Sequence, residues 1–295
     1  MNQQIHLGTD SVSLYMKRED LLHPIISGNK MRKLKYNLEQ ARLENKRTLV
    51  TFGGAYSNHI SAVAAAGKEF GFRTIGVIRG DELAAMVSLN PTLEFASKSG
   101  MHLEFINRGA YAAKDLSQLQ ILKNIGLDDC YVLPEGGSNR LAVRGCEEVL
   151  VPADNRFDYI CCAVGTGATM AGIINSSAQH QRVLGFPALK GEGFEKGIYL
   201  YTDKTNWQLI SDYNFGGYAK ISPVLVDFMN DFKQNTGIVL DPVYTSKMVF
   251  GVMDMIKKGY FARGSRILMI HTGGLQGIEG MNEKLKNKHL PLIDY

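Results

Sequence analysis

Lys30 follows Ser-Gly-Asn in SGNKMRKL (27–34), where Met31, Leu34, Leu38 and Ala41 mark one face of a helix that begins near Asn29. A lysine in the first turn of a helix is ordinarily a solvated charge. If a cleft desolvates it, and positive helix ends lie nearby, its proton affinity falls, and a neutral amine is both nucleophile and base. Glycine turns supply what such an amine could work beside. FGGAYSNH (52–59) carries Ser57, Asn58 and His59 into an alanine-rich helix, and GTGAT (165–169) joins an apolar strand to another helix. A third turn, HTGGLQG (271–277), also follows a strand. Unpaired backbone N–H groups at helix starts attract anions, so the GTGAT turn suits a phosphate and the Ser-Asn-His turn a carboxylate. Each also has a plainer explanation: Ser57 or Asn58 is a good N-cap, and a Gly-x-Gly turn can simply connect a strand to a helix.

The elements that must position these residues alternate along the chain. Short β-branched or apolar runs at 48–52, 74–78, 102–106, 130–133, 159–164, 182–186 and 266–271 read as strands, and longer segments of helical period lie between them. That rhythm predicts an α/β protein with mostly parallel sheets. The first four strands can form one compact unit and the later ones another, completed by the N-terminal segment. The expected division is 1–33 with 146–295 as the larger, cofactor-binding domain and 34–145 as the smaller one carrying the Ser-Asn-His turn. A cleft between two such layers is the natural ligand site.

Composition narrows the chemistry. The chain has 295 residues, 45% of them hydrophobic, and a formal net charge of +4 with acids and bases interspersed, so neither nucleic acid nor a membrane surface is an expected partner. No export signal is legible at the N-terminus, and Cys130, Cys146, Cys161 and Cys162 show no paired spacing; they read as buried thiols of a cytoplasmic protein without a metal site. A dinucleotide fingerprint fails, because its third glycine is Met170 and no acid closes the strand RVLGF. No P-loop motif occurs.

Taken in order, SGNKMRK, SNH after a glycine pair, PEGGSN (134–139), GTGAT, DPVYTSK (241–247) and HTGG resemble the 1-aminocyclopropane-1-carboxylate deaminase/D-cysteine desulfhydrase family of pyridoxal-phosphate enzymes. The similarity covers nearly the whole chain. It implies two three-layer α/β/α domains of the tryptophan synthase β type (fold type II), pyridoxal 5'-phosphate as cofactor, a small amino acid as substrate and a homodimer. By the same resemblance Lys30 would form an imine with the cofactor and then move protons at the substrate carbons. Gly165, Thr166, Gly167, Ala168 and Thr169 would hold the phosphate, with Ala168 where the family usually has glycine. Asn58 would bond the ring oxygen and contact substrate, Ser57 and His59 would face the substrate carboxylate, and Tyr244 and Tyr218 would be active-site tyrosines.

Family members that open the cyclopropane carry glutamate after the DPVY tyrosine and leucine in the H-L-G-G turn. Here those positions are Thr245 and Thr272. A hydroxyl does not neutralise a pyridinium as a carboxylate does, so the ring is a weaker electron sink, suited to β-elimination. The expectation is a D-cysteine desulfhydrase-like lyase, with deamination of the cyclopropane amino acid and a cofactor-binding pseudoenzyme as alternatives. The segment 193–218 matches no motif.

Overall fold

The computed structural model describes residues 1–8, 11–113, 126–191 and 193–295. Strands β1 (Asn2–Ile5) and β2 (Ser13–Arg18) lead to helix α1 (Asn29–Leu43). Next come β3 (Thr48–Gly53), α2 (Asn58–Phe70), β4 (Arg73–Arg79), α3 (Pro91–Lys98), β5 (Met101–Ile106), α4 (Arg108–Ala113), β6 (Cys130–Leu133) and α5 (Arg140–Glu147). The chain continues through β7 (Tyr159–Val164), α6 (Ala168–Ser176), β8 (Arg182–Pro187), α7 (Phe194–Tyr199), β9 (Trp207–Leu209), α8 (Pro223–Thr236), α9 (Thr245–Lys257), β10 (Arg266–His271) and α10 (Gly277–Lys286).

Among the described residues the strands form two sheets. One has the order β5-β4-β3-β6 and is parallel throughout; the other has the order β1-β2-β10-β7-β8-β9 and is parallel except for the β1–β2 pair. All seven expected strands form. The additional ones, β1, β2 and β9, belong to the larger sheet, two of them at its edges, where polar residues such as Asn2, Gln3 and Gln4 carry no apolar alternation to read.

Both faces of each sheet are covered, and strand alternation explains how. In β7, Cys161 and Ala163 pack with Val226, Met248 and Met269, whereas Ile160, Cys162 and Val164 pack with Val143, Ile173 and Ile198. In β3, Leu49 joins the core of α1 and α2, while Val50 and Phe52 face Tyr111 of α4. The larger sheet therefore has α8 and α9 on one side and α5 to α7 on the other. No helix among the described residues is long and apolar enough to cross a membrane.

The boundaries expected at 33/34 and 145/146 fall inside α1 and α5, so these helices knit the two sheets together. A Cβ on Gly145 would stand 1.9 Å from the Arg32 carbonyl oxygen, which means the backbones of α1 and α5 touch. The start of α1 is pinned in the same way. Gly28 has φ +60 and ψ −131, and a Cβ there would lie 2.0 Å from the Thr272 carbonyl oxygen, the same atom that accepts the Asn29 N–H at 3.2 Å. Only glycine fits both the torsion and the contact.

Gly28→Ala is expected to destabilise the protein by at least about 1–3 kcal/mol from the torsion alone, with the clash added. The midpoint of urea unfolding measures it, and an unchanged midpoint would show that the turn at 27–29 can relax.

Candidate active site

Parallel strands present their carboxyl ends to one region, the usual place for a ligand in α/β sheets. The turns after β3, β4, β7 and β10 all open on a cavity of about 1150 Å³ between the two sheets. Lys30, Ser57, Asn58, His59, Gly165, Thr166, Gly167, Thr169, Tyr218, Tyr244 and Thr272 line it, which brings most of the sequence-derived site to one place.

Lys30 Nζ donates to Asn29 Oδ1 at 3.0 Å, and Asn29 Nδ2 donates to Thr169 Oγ1 at 2.9 Å. The amine and the GTGAT turn are thus joined through one side chain. Burial, reinforced by the Lys33 charge, lowers the Lys30 pKa to about 7, so near neutral pH a large share of the amine is uncharged. Lys33, one helical turn on, is buried and donates to the Gly136 carbonyl at 2.9 Å, which fixes its charge beside the site.

At the head of α6, Gly167 adopts the left-handed conformation and no side chain caps the helix. The first N–H groups of α6 are therefore free of any local side-chain acceptor, as an anion site requires. Thr166 Oγ1 is bonded to Ser138 Oγ, which ties the turn to the PEGGSN segment. Ala168 does not line the cavity: it is fully buried in the core with Val143 and Ile198, so the methyl that replaces a family glycine points into packing rather than toward a ligand.

Ser57 caps α2 by accepting the Ile60 N–H at 3.4 Å, which leaves its own O–H free to donate. The plainer reading and the functional one both hold for this residue. Asn58 reaches across to the 271–277 turn, where a Cβ on Gly274 would lie 2.8 Å from Asn58 Nδ2. His59 departs from expectation. Its ring is buried, with Nε2 bonded to Thr51 Oγ1 at 2.9 Å, and burial together with the Lys30 and Lys33 charges holds its pKa well below the ordinary value. It stays neutral and cannot offer a positive charge to a carboxylate.

Tyr218 and Tyr244 meet edge-on with ring centroids 6.2 Å apart. Burial and the neighbouring Tyr218 and Asp241 push the Tyr244 pKa well above the usual phenol value, so it remains a donor. Thr245 is the second departure. It is fully buried, does not line the cavity, and donates its hydroxyl to Asp241 Oδ2 at 2.7 Å. That carboxylate also accepts the N–H groups of Val243, Tyr244 and Thr245, so it is spent on the start of α9. Thr272 does line the cavity.

Sequence reasoning missed Asp241 and Lys247. Lys247 is 1% exposed, and its amine donates to the carbonyls of Ala188 (3.2 Å), Asn214 (2.9 Å) and Gly217 (2.7 Å). It therefore ties the loop before Tyr218 to the helix after Tyr244. The signal was present: Lys247 shares a helical face with Tyr244, Met248 and Gly251, an apolar stripe that a solvated lysine would not occupy.

A neutral amine at one wall and an uncapped, left-handed helix start at another fit a cofactor with an aldehyde and a phosphate. Residues 3–273 match the family model described as pyridoxal-phosphate dependent enzyme. A 1-aminocyclopropane-1-carboxylate deaminase of Rhizobium rhizogenes is 30% identical, over 96% of this chain and 92% of its own. A bifunctional D-cysteine desulfhydrase/1-aminocyclopropane-1-carboxylate deaminase of Arabidopsis thaliana is 31% identical, over 91% of this chain and 74% of its own. Among solved structures, an ACC deaminase homologue superposes with a TM-score of 0.83 at 27% identity, covering 97% of this chain and 93% of its own.

Covalent uptake of pyridoxal phosphate by the cofactor-free protein should accelerate as pH rises through about 7, where Lys30 loses its proton, rather than through the ordinary lysine range. Lys33→Met removes a repelling charge and should move that midpoint upward; stopped-flow absorbance across pH measures both. Lys247→Met leaves carbonyls unpaired, at about 1–3 kcal/mol for each that water does not reach. It should lower the unfolding midpoint and turnover together while pyridoxal phosphate still binds.

Proposed function

Because the chain belongs to the pyridoxal-phosphate-dependent enzymes of the 1-aminocyclopropane-1-carboxylate deaminase/D-cysteine desulfhydrase kind, we propose that it is a β-eliminating lyase. Its substrate is D-cysteine or a related β-substituted amino acid. With one water, D-cysteine gives pyruvate, ammonia and hydrogen sulfide: the Cα–H and Cβ–S bonds break, and hydrolysis releases the nitrogen.

The observation that carries this choice is the character of the cavity wall around Tyr244 and Thr272. Among the described lining residues the carboxylates are Glu82 and Glu135, which follow β4 and β6 on the smaller sheet; the larger-sheet wall presents the hydroxyls of Thr272 and Tyr244 instead. Asp241 lies behind that wall with its oxygens occupied. A site without a carboxylate for a pyridinium suits loss of an α-proton and a thiolate better than opening a ring whose α-carbon has no hydrogen. The two activities in the Arabidopsis relative's name include this one.

Pyridoxal phosphate, when bound, supplies an aldehyde that condenses with amines and a ring that withdraws electrons from the bond being broken. The chain's residues do the rest. The N–H groups at the head of α6 hold an anion, and Asn58 braces one side of the cofactor space against the 271–277 turn. The Ser57 hydroxyl and the first N–H groups of α2 orient the substrate carboxylate. Lys30, with a pKa near 7, takes the α-proton and returns one later. Tyr244 stays protonated and donates to the departing group, with Tyr218 above it.

The second reading, deamination of the cyclopropane amino acid, draws on the name of the Rhizobium relative. A keto-acid assay separates the two. Purified holoenzyme should release pyruvate from D-cysteine and little 2-oxobutyrate from 1-aminocyclopropane-1-carboxylate, and the reverse yield would overturn the role given to Thr272. Ser57→Ala should cut turnover by about 10-fold or more while cofactor absorbance persists.

A further inference from the structure

The smaller-sheet wall carries a feature that the reaction above does not use. Arg79, the last residue of β4, lines the cavity, and a Cβ on Gly54 would lie 3.7 Å from its Nη2; Gly54 opens the turn that ends in Ser57 and Asn58. Its neighbouring charges are arranged asymmetrically. Arg108 is paired with Glu82 at 3.1 Å, whereas Arg79 has no carboxylate partner among the described residues. Its guanidinium lies 5.7 Å from the centroid of the Tyr111 ring, a stacking contact that orients the fork without consuming its donors.

Tyr111 adds a second, independent observation. It lines the same cavity and is 4% exposed, and among the described residues its hydroxyl has no well-aligned hydrogen-bond partner, the Glu135 carboxylate being the polar group that acts on it. Buried hydroxyls are rarely left so. Burial and the nearby Glu135 raise its pKa, so it keeps its proton and remains a donor. An oriented guanidinium and a buried phenol that keeps its proton, side by side, match a carboxylate, and a ligand's carboxylate competes there with Glu135.

We propose that Arg79 and Tyr111 form a subsite for a second carboxylate on the substrate, beyond the one held at Ser57 and Asn58. The preferred substrates are then amino acids whose side chain or β-substituent ends in a carboxylate. This rests on the lyase reading for its place in the reaction, but the subsite itself is a binding property. Glu135 faces the same wall and opposes an anion there, so it tunes the subsite downward.

The test is equilibrium binding to the holoenzyme by calorimetry, with both enantiomers of glutamate and of its neutral near-isostere glutamine as probes. Wild type should bind glutamate of one hand about 10-fold to 100-fold more tightly than the matching glutamine, the range of one charge-assisted hydrogen-bond set. Arg79→Gln should collapse that ratio toward one, Arg79→Lys should keep part of it, and Glu135→Gln should enlarge it. Equal binding of the pair by wild type would overturn the proposal, as would an Arg79→Gln variant that weakens both members alike. Absence of pyruvate from every β-substituted amino acid, with the glutamate preference intact, would instead remove the lyase reading and leave the subsite standing.

Discussion

The site depends on a contact between two backbones. Gly28 lies against the Thr272 carbonyl with no room for a side chain, and one residue later Asn29 donates to that same oxygen. The start of α1 is therefore fixed to the end of β10, and Lys30 cannot move without moving both. Gly145 performs the same service farther along α1, letting α5 approach until backbone meets backbone. Between them these contacts hold the Lys30 amine on the cavity wall, one side chain away from Thr169 of α6. Desolvation then follows from position, and the lowered pKa follows from desolvation.

The same physics gives Lys30, Lys33 and Lys247 different tasks. Burial lowers the pKa of all of them, but what surrounds each amine differs. Lys33 and Lys247 donate to backbone carbonyls, which a cation does best, and so they serve as struts: Lys33 between α1 and the PEGGSN segment, Lys247 between α9 and the loop before Tyr218. Among the described residues Lys30 donates to a side-chain amide on its own helix and to no backbone carbonyl, which leaves it able to engage a ligand. A buried amine with carbonyls around it is structural; one with an open cavity in front of it is reactive.

The parts of this arrangement legible in the sequence are those with a repeating or local signature. Strands buried on both faces announce themselves as apolar runs, and the glycine turns mark where they end. Edge strands such as β1 and β9 are half-solvated and short, so they carry no such run. Thr245 was misread for a geometric reason. Successive residues at a helix start are turned by roughly a quarter of a circle, so if Tyr244 faces the cavity, its neighbour faces the core, and Asp241 takes its hydroxyl. His59 follows Asn58 in the same way: its ring still reaches the cavity wall but is packed against Gly137 and bonded to Thr51. For Tyr244 and Thr245, adjacency in the motif is not adjacency in the site. The segment 193–218, which matched no motif, carries α7, β9 and the Lys247-bound loop: its placement comes from a buried charge distant in sequence.

The two walls of the cavity divide the work. The larger sheet supplies the anion-binding turn and the tyrosines and anchors the start of α1 that carries the amine, groups whose contacts run through helix starts and backbone and leave little freedom. The smaller sheet supplies Ser57, Arg79, Tyr111 and Glu135, which sit at the end of β4, on turns after β3 and β6, or on α4, and whose side chains are not among those that bond α1. Chemistry needs the fixed wall, because a displacement of about 1 Å between amine and substrate carbon costs orders of magnitude in rate. Substrate choice needs only that charges on the other wall match the distal end of the ligand. A chain can therefore keep the lysine, the GTGAT turn and the tyrosine pair while its preferred amino acid is set from the opposite sheet, and it is there, not at Lys30, that such enzymes would diverge.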